Sequence, residues 1–344
     1  MKKSGIPLSF GRGARGEVLK KPENIYCTAL VALAMKAKFV FFLIVALAAF
    51  SLGGCQSESG QPDDKNRPLK LVCTTGMIGD AIKTIAGPEA EVVTLMGPGV
   101  DPHLYKATQG DLRQLSTADA IFYNGLHLEG KMGEVLEKVA RQKPVIAVAE
   151  GLPEERLINS SDYASAYDPH IWFDVARWRA AVSYAGEELV ALDTTHAPAY
   201  RKRLRVYLRQ LDSLDRWVRT EVRKIPEPQR VLITAHDAFT YFGEAYEIEV
   251  RGLQGISTVS EYGLRDISEL VNFITERQIK AVFVESSVPR KSLEAVVEGC
   301  ARRGHQVEIG GTLYSDAMGA AGTPEGNYPG MVRANVNTIV KALR

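Results

Sequence analysis

The sequence predicts an α/β protein of two lobes, each built on a parallel four-stranded sheet flanked by helices, with one long rigid helix joining them. Three observations carry that expectation. From residue 69 onward, short apolar runs alternate with segments of helical spacing, the pattern of parallel sheets covered on both faces. Residues 199–224 keep one apolar stripe over about 26 residues, roughly 39 Å at 1.5 Å per residue, longer than a packing helix in a small lobe needs. The 344 residues, 45% hydrophobic and 24% charged, suit two lobes of ordinary size with ample core.

The N-terminus stands apart from that pattern. Met35-Lys36-Ala37-Lys38 precedes an apolar run at 39–50 and then Ser51-Leu52-Gly53-Gly54-Cys55: a positive region, a short hydrophobic region and a small-residue cleavage site. The apolar run is too short to span a bilayer, which takes about 20 residues. The segment resembles a bacterial lipoprotein signal, with Leu52-Gly53-Gly54-Cys55 as lipobox and Cys55 as the lipidated residue. That resemblance implies an extracytoplasmic chain anchored to a membrane by lipid, with 35–54 as signal peptide and 1–34 as an over-extended N-terminus. A cytosolic protein with an unusual apolar start is the plain alternative. Residues 55–68, polar and turn-rich, read as a flexible tether. Eight Lys/Arg against two acids lie in residues 1–54, so the formal +1 of the whole chain becomes −5 from Cys55 onward. A mildly acidic body argues against nucleic acid as a partner. Cys73 and Cys300 fall in apolar elements of different halves and read as buried free thiols.

Residues 69–74 form a buried strand, followed by helical spacing of Met77, Ile78, Ala81, Ile82 and Ile85. A strand at 91–96 ends in Gly97-Pro98-Gly99, and Asp101-Pro102-His103 follows. Thr108 caps a helix to about residue 115, with Asp111 completing a capping box. A strand at 120–123, a helix at 131–140 and a strand at 144–148 complete the first lobe's alternation. Helices at 175–192 and 199–224 follow, the latter ended by Pro226 and Pro228. In the second lobe, strands fall at 231–234, 250–256, 281–284 and 307–310, and helices near 238–244, 264–277, 290–304 and 328–343. The lobes are expected at 69–195 and 227–344, with the connecting helix at 196–226.

Ligands of open parallel sheets sit beyond the carboxyl ends of the strands. By that rule His103, His236 and Asp316 face a shared cleft, and His170 joins them from the loop entering the connector. His103 and His170 each end an Asp-Pro-His tripeptide, whose proline stiffens the loop that carries the imidazole. Three imidazoles and a carboxylate suit a borderline divalent ion such as zinc, with manganese possible if the carboxylate binds through both oxygens. Glu285 ends a strand at the same edge, and Asp101, Asp168 and Asp237 neighbour the histidines. These four acids are candidates to orient the ligand rings. His127 reads as a near-site hydrogen-bonding or core residue, and His196 and His305 as exposed. Trp172, Phe173, Phe239, Tyr241 and Phe242 read as packing that excludes water.

Six ordered segments, Thr74-Thr75-Gly76-Met77-Ile78-Gly79-Asp80, Asp101-Pro102-His103-Leu104-Tyr105, Asn124-Gly125-Leu126-His127-Leu128-Glu129, Asp168-Pro169-His170-Ile171-Trp172-Phe173-Asp174, Ala235-His236-Asp237-Ala238-Phe239-Thr240-Tyr241-Phe242 and Leu313-Tyr314-Ser315-Asp316-Ala317-Met318-Gly319, resemble the zinc/manganese solute-binding lipoproteins of ABC importers. The resemblance covers nearly all of the chain from Leu69. It implies a monomeric receptor, not an enzyme, that passes Zn²⁺ or Mn²⁺ to a membrane permease driven by an ATPase, with His103, His170, His236 and Asp316 as ligands. Members that favour manganese commonly have Glu where this chain has His236, and no His-rich loop of dedicated zinc carriers appears between Leu126 and Pro144. A zinc hydrolase using Glu285 as general base is the rival from another class, although His-Glu-x-x-His is missing. A surface adhesin is a third reading.

Overall fold

The central strands follow apolar runs, as at Leu71–Cys73, Ala120–Phe122 and Ala281–Val284, and the long helices bury the face that their apolar spacing defines. A computed structural model describes residues 67–160 and 166–344. The expected signal peptide, Cys55 and most of the expected tether lie outside them. The order is β1 (Leu69–Cys73), α1 (Gly76–Ala86), β2 (Ala90–Thr94), α2 (Gln109–Thr117), β3 (Ala120–Tyr123), α3 (Gly133–Ala140), β4 (Val145–Ala147), α4 (Val175–Leu192), α5 (Ala197–Val222), β5 (Val231–His236), α6 (Thr240–Tyr246), β6 (Glu249–Gln254), α7 (Leu264–Glu276), β7 (Ala281–Glu285), α8 (Lys291–Arg302), β8 (Glu308–Leu313) and α9 (Tyr328–Leu343).

Strands β1 to β4 form one parallel sheet in the order β2-β1-β3-β4. The second set repeats that arrangement with a difference: β5 pairs with β6 and β7 with β8, each in parallel, and β5 packs beside β7. The four strands of this set therefore register as two ladders. Part of the cause is local, because the backbone N–H groups of Ala235 and His236 on β5 donate to Glu285 Oε1, at 2.8 and 2.9 Å. A carboxylate takes the donors that a neighbouring strand would otherwise use. Strand β8 also runs three residues past its expected end, through Gly310-Gly311. A Cβ at Gly310 would lie 2.7 Å from Ala342 Cβ and 2.9 Å from Phe283 Cε1, so that glycine serves close packing inside a strand instead of ending one.

Helix α1 buries Met77, Ile78, Ala81, Ile82 and Ile85 and stops at Gly87, where φ is +63°. Arg203 of α5 reaches its last turn, donating from Nε to Ile85 O at 2.7 Å and from Nη2 to Ala86 O at 2.5 Å. A cation on those carbonyls opposes the negative end of the helix dipole. The Thr108 capping box is present: Thr108 Oγ1 accepts from Asp111 N, and Asp111 Oδ2 accepts from Thr108 N. Arg67, expected in the tether, is instead held by a two-pronged ion pair with Asp119, at 2.8 and 2.5 Å.

Helix α5 buries Tyr200, Leu204, Tyr207, Leu211, Leu214, Val218 and Val222 and packs against α4, α1 and α9. Helix α9 belongs to the second lobe by sequence, yet it returns to the connector and to α1. One hydrophobic core runs through both lobes in consequence, joining Leu71 and Phe122 to Leu211, Leu232, Phe283 and Ile339. Residues Arg67–Arg344 form one compact unit. Cys73 and Cys300 are buried free thiols. No helix among the described residues is long and apolar enough to cross a membrane.

Candidate metal centre

The two Asp-Pro-His tripeptides fold alike, each aspartate accepting from the backbone N–H of its histidine. Asp101 Oδ1 takes the His103 N–H at 2.8 Å, and Asp168 Oδ1 takes the His170 N–H at 2.9 Å. Such a turn fixes the histidine backbone with local chemistry alone. Asp168 does more, since its Oδ1 also lies 2.7 Å from His170 Nδ1. With Nδ1–H donated there, His170 Nε2 carries the free lone pair.

The loop carrying His170 is held by three donors. Asn124 Nδ2 donates to Pro169 O at 3.0 Å, Tyr241 OH to Asp168 O at 2.9 Å and Tyr328 OH to Trp172 O at 2.7 Å. Trp172 Nε1 in turn donates to Ser315 O at 3.0 Å, and Ser315 Oγ pairs with Ser287 Oγ at 2.8 Å. The residue before Asp316 is thereby tied to the residues after His170. His236 is the last residue of β5, and its Nδ1 stands 2.6 Å from Glu285 Oε2.

These elements bring His103, His170, His236 and Asp316 together, with one ligand-type atom of each within 4.8 Å of all the others. His103 Nε2 is 3.2 Å from His170 Nε2, Asp316 Oδ1 is 3.5 Å from His170 Nε2, and Asp316 Oδ2 is 3.4 Å from His236 Nε2. Donors at 2.0–2.1 Å from a tetrahedral ion lie about 3.3–3.4 Å from one another, so the three shortest separations are those expected of neighbours around one cation, in a set that spans up to 4.8 Å. All four residues are buried, the most exposed being His103 at 3%. Both Asp316 oxygens and both His236 ring nitrogens lack an aligned hydrogen-bond partner among the described residues. Buried polar atoms left unpaired each cost about 1–3 kcal/mol, and a cation between Asp316 and His236 Nε2 would satisfy those, while His236 Nδ1 faces Glu285 Oε2 on the other side of the ring.

The electrostatics point the same way. Burial pushes the His103 pKa down to about 3, so its imidazole is neutral and ready to bind. Burial opposes ionisation of Asp316, but the surrounding His236, His170 and His103 outweigh it and hold the carboxyl well below its usual range. Burial likewise opposes a charge on His236, and Glu285 and Asp316 overcome it to raise that pKa well above the ordinary value. The site is therefore an acidic cage whose metal-free state keeps a proton on His236.

The candidate orienting acids divide. Asp168 touches the ring of His170, Glu285 stands against the ring of His236, and Asp101 holds the backbone of His103. Asp237 accepts from Thr240 Oγ1 at 3.1 Å and makes no ion pair with His236; the role expected of it falls to Glu285. His127, expected near the site or in the core, is not in the core: it is exposed, with φ +63°, and walls a cavity of about 430 Å³ that reaches His103. Gly125 and Leu126 before it are also left-handed, which turns the imidazole outward while burying Leu128 and Glu129. His196 is exposed as expected, and His305 is half-buried, donating from Nε2 to Ile279 O at 2.7 Å. Sequence reasoning gave no part to Asn124 or Thr258, and read Trp172 and Tyr241 as packing alone. Their places beside the motif histidines were a signal for the last two.

The chain matches the family model described as zinc-uptake complex component A, periplasmic, over residues 71–342. The chain belongs to this family. Among its members' relatives, the manganese-binding lipoprotein MntA of Bacillus subtilis is 52% identical over 301 residues, covering 87% of this chain and 97% of that one. The zinc-binding protein TroA of Treponema pallidum is 50% identical over 277 residues, 80% of this chain and 89% of that one. The solved structure of periplasmic zinc-binding TroA superposes with a TM-score of 0.78 at 49% identity, covering 80% of this chain and 99% of its own. Fe(III)-bound YtgA of Chlamydia trachomatis has a TM-score of 0.72 at 26% identity, covering 80% and 98%. The family is one of uptake receptors, and the hydrolase reading loses its base on the geometry: Glu285 is committed through one oxygen to two backbone N–H groups and sits by the other against His236.

Proposed function

We propose that this chain is the extracytoplasmic receptor of an ABC importer, capturing Zn²⁺ or Mn²⁺ on His103, His170, His236 and Asp316 and delivering it to the membrane permease. The observation that carries the reading is the convergence of four buried donors within 4.8 Å, with the Asp316 oxygens and His236 Nε2 lacking an aligned partner. A closed set of four protein ligands leaves no position for a reacting water, which suits capture and release better than catalysis. Calorimetric titration of Zn²⁺ and Mn²⁺ tests it: one site per chain is expected, greatly weakened in both His236→Ala and Asp316→Ala. Unchanged affinity in both variants would overturn the ligand set.

The intrinsic order of affinities for such donors favours Zn²⁺ over Mn²⁺, so a competition titration should give zinc the tighter constant. The anchor is a lipid on Cys55, and the receptor acts as a monomer. Intact-mass measurement of membrane-extracted protein should show the lipid, absent in Cys55→Ser, and sedimentation should give the mass of one chain.

A further inference from the structure

Two loops from different lobes border the cavity that leads to the site. One follows β2 and carries Asp101 and His103; the other, residues 255–263, joins β6 to α7. They meet where Thr258 Oγ1 donates to Asp101 Oδ2 at 2.6 Å. The other oxygen of that carboxylate accepts the His103 N–H at 2.8 Å. One side chain thus grips a ligand's backbone and the opposite lobe's loop together. The 255–263 loop is braced at its root, where Gln254 Nε2 donates to Thr258 O at 2.8 Å and also to Ser260 O. Its Ile256, Ser257 and Val259 share the cavity wall with His103.

His103 differs from the other imidazoles in how it is held. His170 leans on Asp168 and His236 on Glu285, whereas no carboxylate among the described residues hydrogen-bonds the His103 ring. What fixes His103 is the turn at Asp101, and what fixes Asp101 from across the cleft is Thr258. His103 is also the ligand that faces the cavity.

Building on the proposed metal-binding function, we propose that Thr258 is a positioning residue for metal release: its hydrogen bond to Asp101 keeps the His103 loop closed on the cation and sets the rate at which the cation leaves. His103 is then the first ligand to let go, and a displacement of the 255–263 loop is what frees it. A hydrogen bond to a charged acceptor contributes about 1.5–3 kcal/mol, so its loss should speed release on the order of tenfold to a hundredfold.

The test loads the full chain with Zn²⁺, mixes it with excess chelator in a stopped-flow instrument, and compares wild type with Thr258→Val and Thr258→Ser. Valine keeps the shape and removes the donor; serine restores the donor. The expected result is faster zinc release from Thr258→Val, near-wild-type release from Thr258→Ser, one zinc per chain in all three, and association rates that do not change. Equal release rates in wild type and Thr258→Val would overturn the proposal, as would equally fast release from both variants, which would assign the effect to loop packing. A wild-type chain that takes up no zinc would instead overturn the metal-binding function on which the proposal rests. Matching melting temperatures of the metal-free variants would show that the fold is intact in each.

Discussion

Glu285 determines what His236 can be. Its negative charge beside Nδ1 favours the imidazolium in the metal-free protein, yet a metal needs the neutral ring, so binding must expel that proton. The sign follows directly: a histidine raised in the fold stabilises the metal-free state below its unfolded pKa of about 6.5, and that contribution is lost as pH climbs through the folded value, while metal affinity rises over the same climb. Calorimetry in buffers of different ionisation heat should therefore find about one proton released per metal bound near neutral pH. No proton release would contradict the assignment. Glu285→Gln keeps an acceptor for the Ala235 and His236 N–H groups but removes the charge. It should weaken metal binding about 10–100-fold, the usual effect of altering a carboxylate behind a ligating histidine, and should reduce the proton release.

At the scale of elements, the capping box at α2 stabilises the helix that follows the His103 loop. Thr108→Ala should lower stability by about 1 kcal/mol in urea titration without changing the metal stoichiometry; no change in midpoint would mean that the helix start is held by packing alone. The stripe of α5 and the capping box were legible in the sequence because periodicity and caps are local physics. So were the four converging residues, since strand ends and Asp-Pro-His turns can be counted along the chain. What could not be read were pairings set by tertiary approach. Thr258 and Asp101 are 157 residues apart, and nothing near either marks the other. The two-ladder second set escaped for the same reason, because Glu285 takes β5 donors from 49 and 50 residues away. The exposure of His127 could not be read because three consecutive left-handed residues, two of them not glycine, are not a pattern that sequence announces.

Across the whole molecule, a core shared between both lobes predicts cooperative unfolding. Denaturant titration followed by tryptophan fluorescence should show one transition, since Trp172 and Trp178 both lie in that core. Leu211→Ala, fully buried in α5, should lower stability by about 2–5 kcal/mol and leave the transition single. Two separated transitions would mean that the lobes fold independently. Metal at a hundredfold excess over its dissociation constant should add about 2.7 kcal/mol, raising the melting temperature on the order of 5 °C, and a chelator should reverse the rise. The spacing of the four donors carries one more consequence. With neighbours 3.2 to 3.5 Å apart, they can surround a bare ion and not a hydrated one. An arriving cation must shed its water, and magnesium, which dehydrates reluctantly and prefers oxygen, gains little from three imidazoles in exchange. Donors so spaced favour ions that undress readily, and the ligand set alone disfavours magnesium.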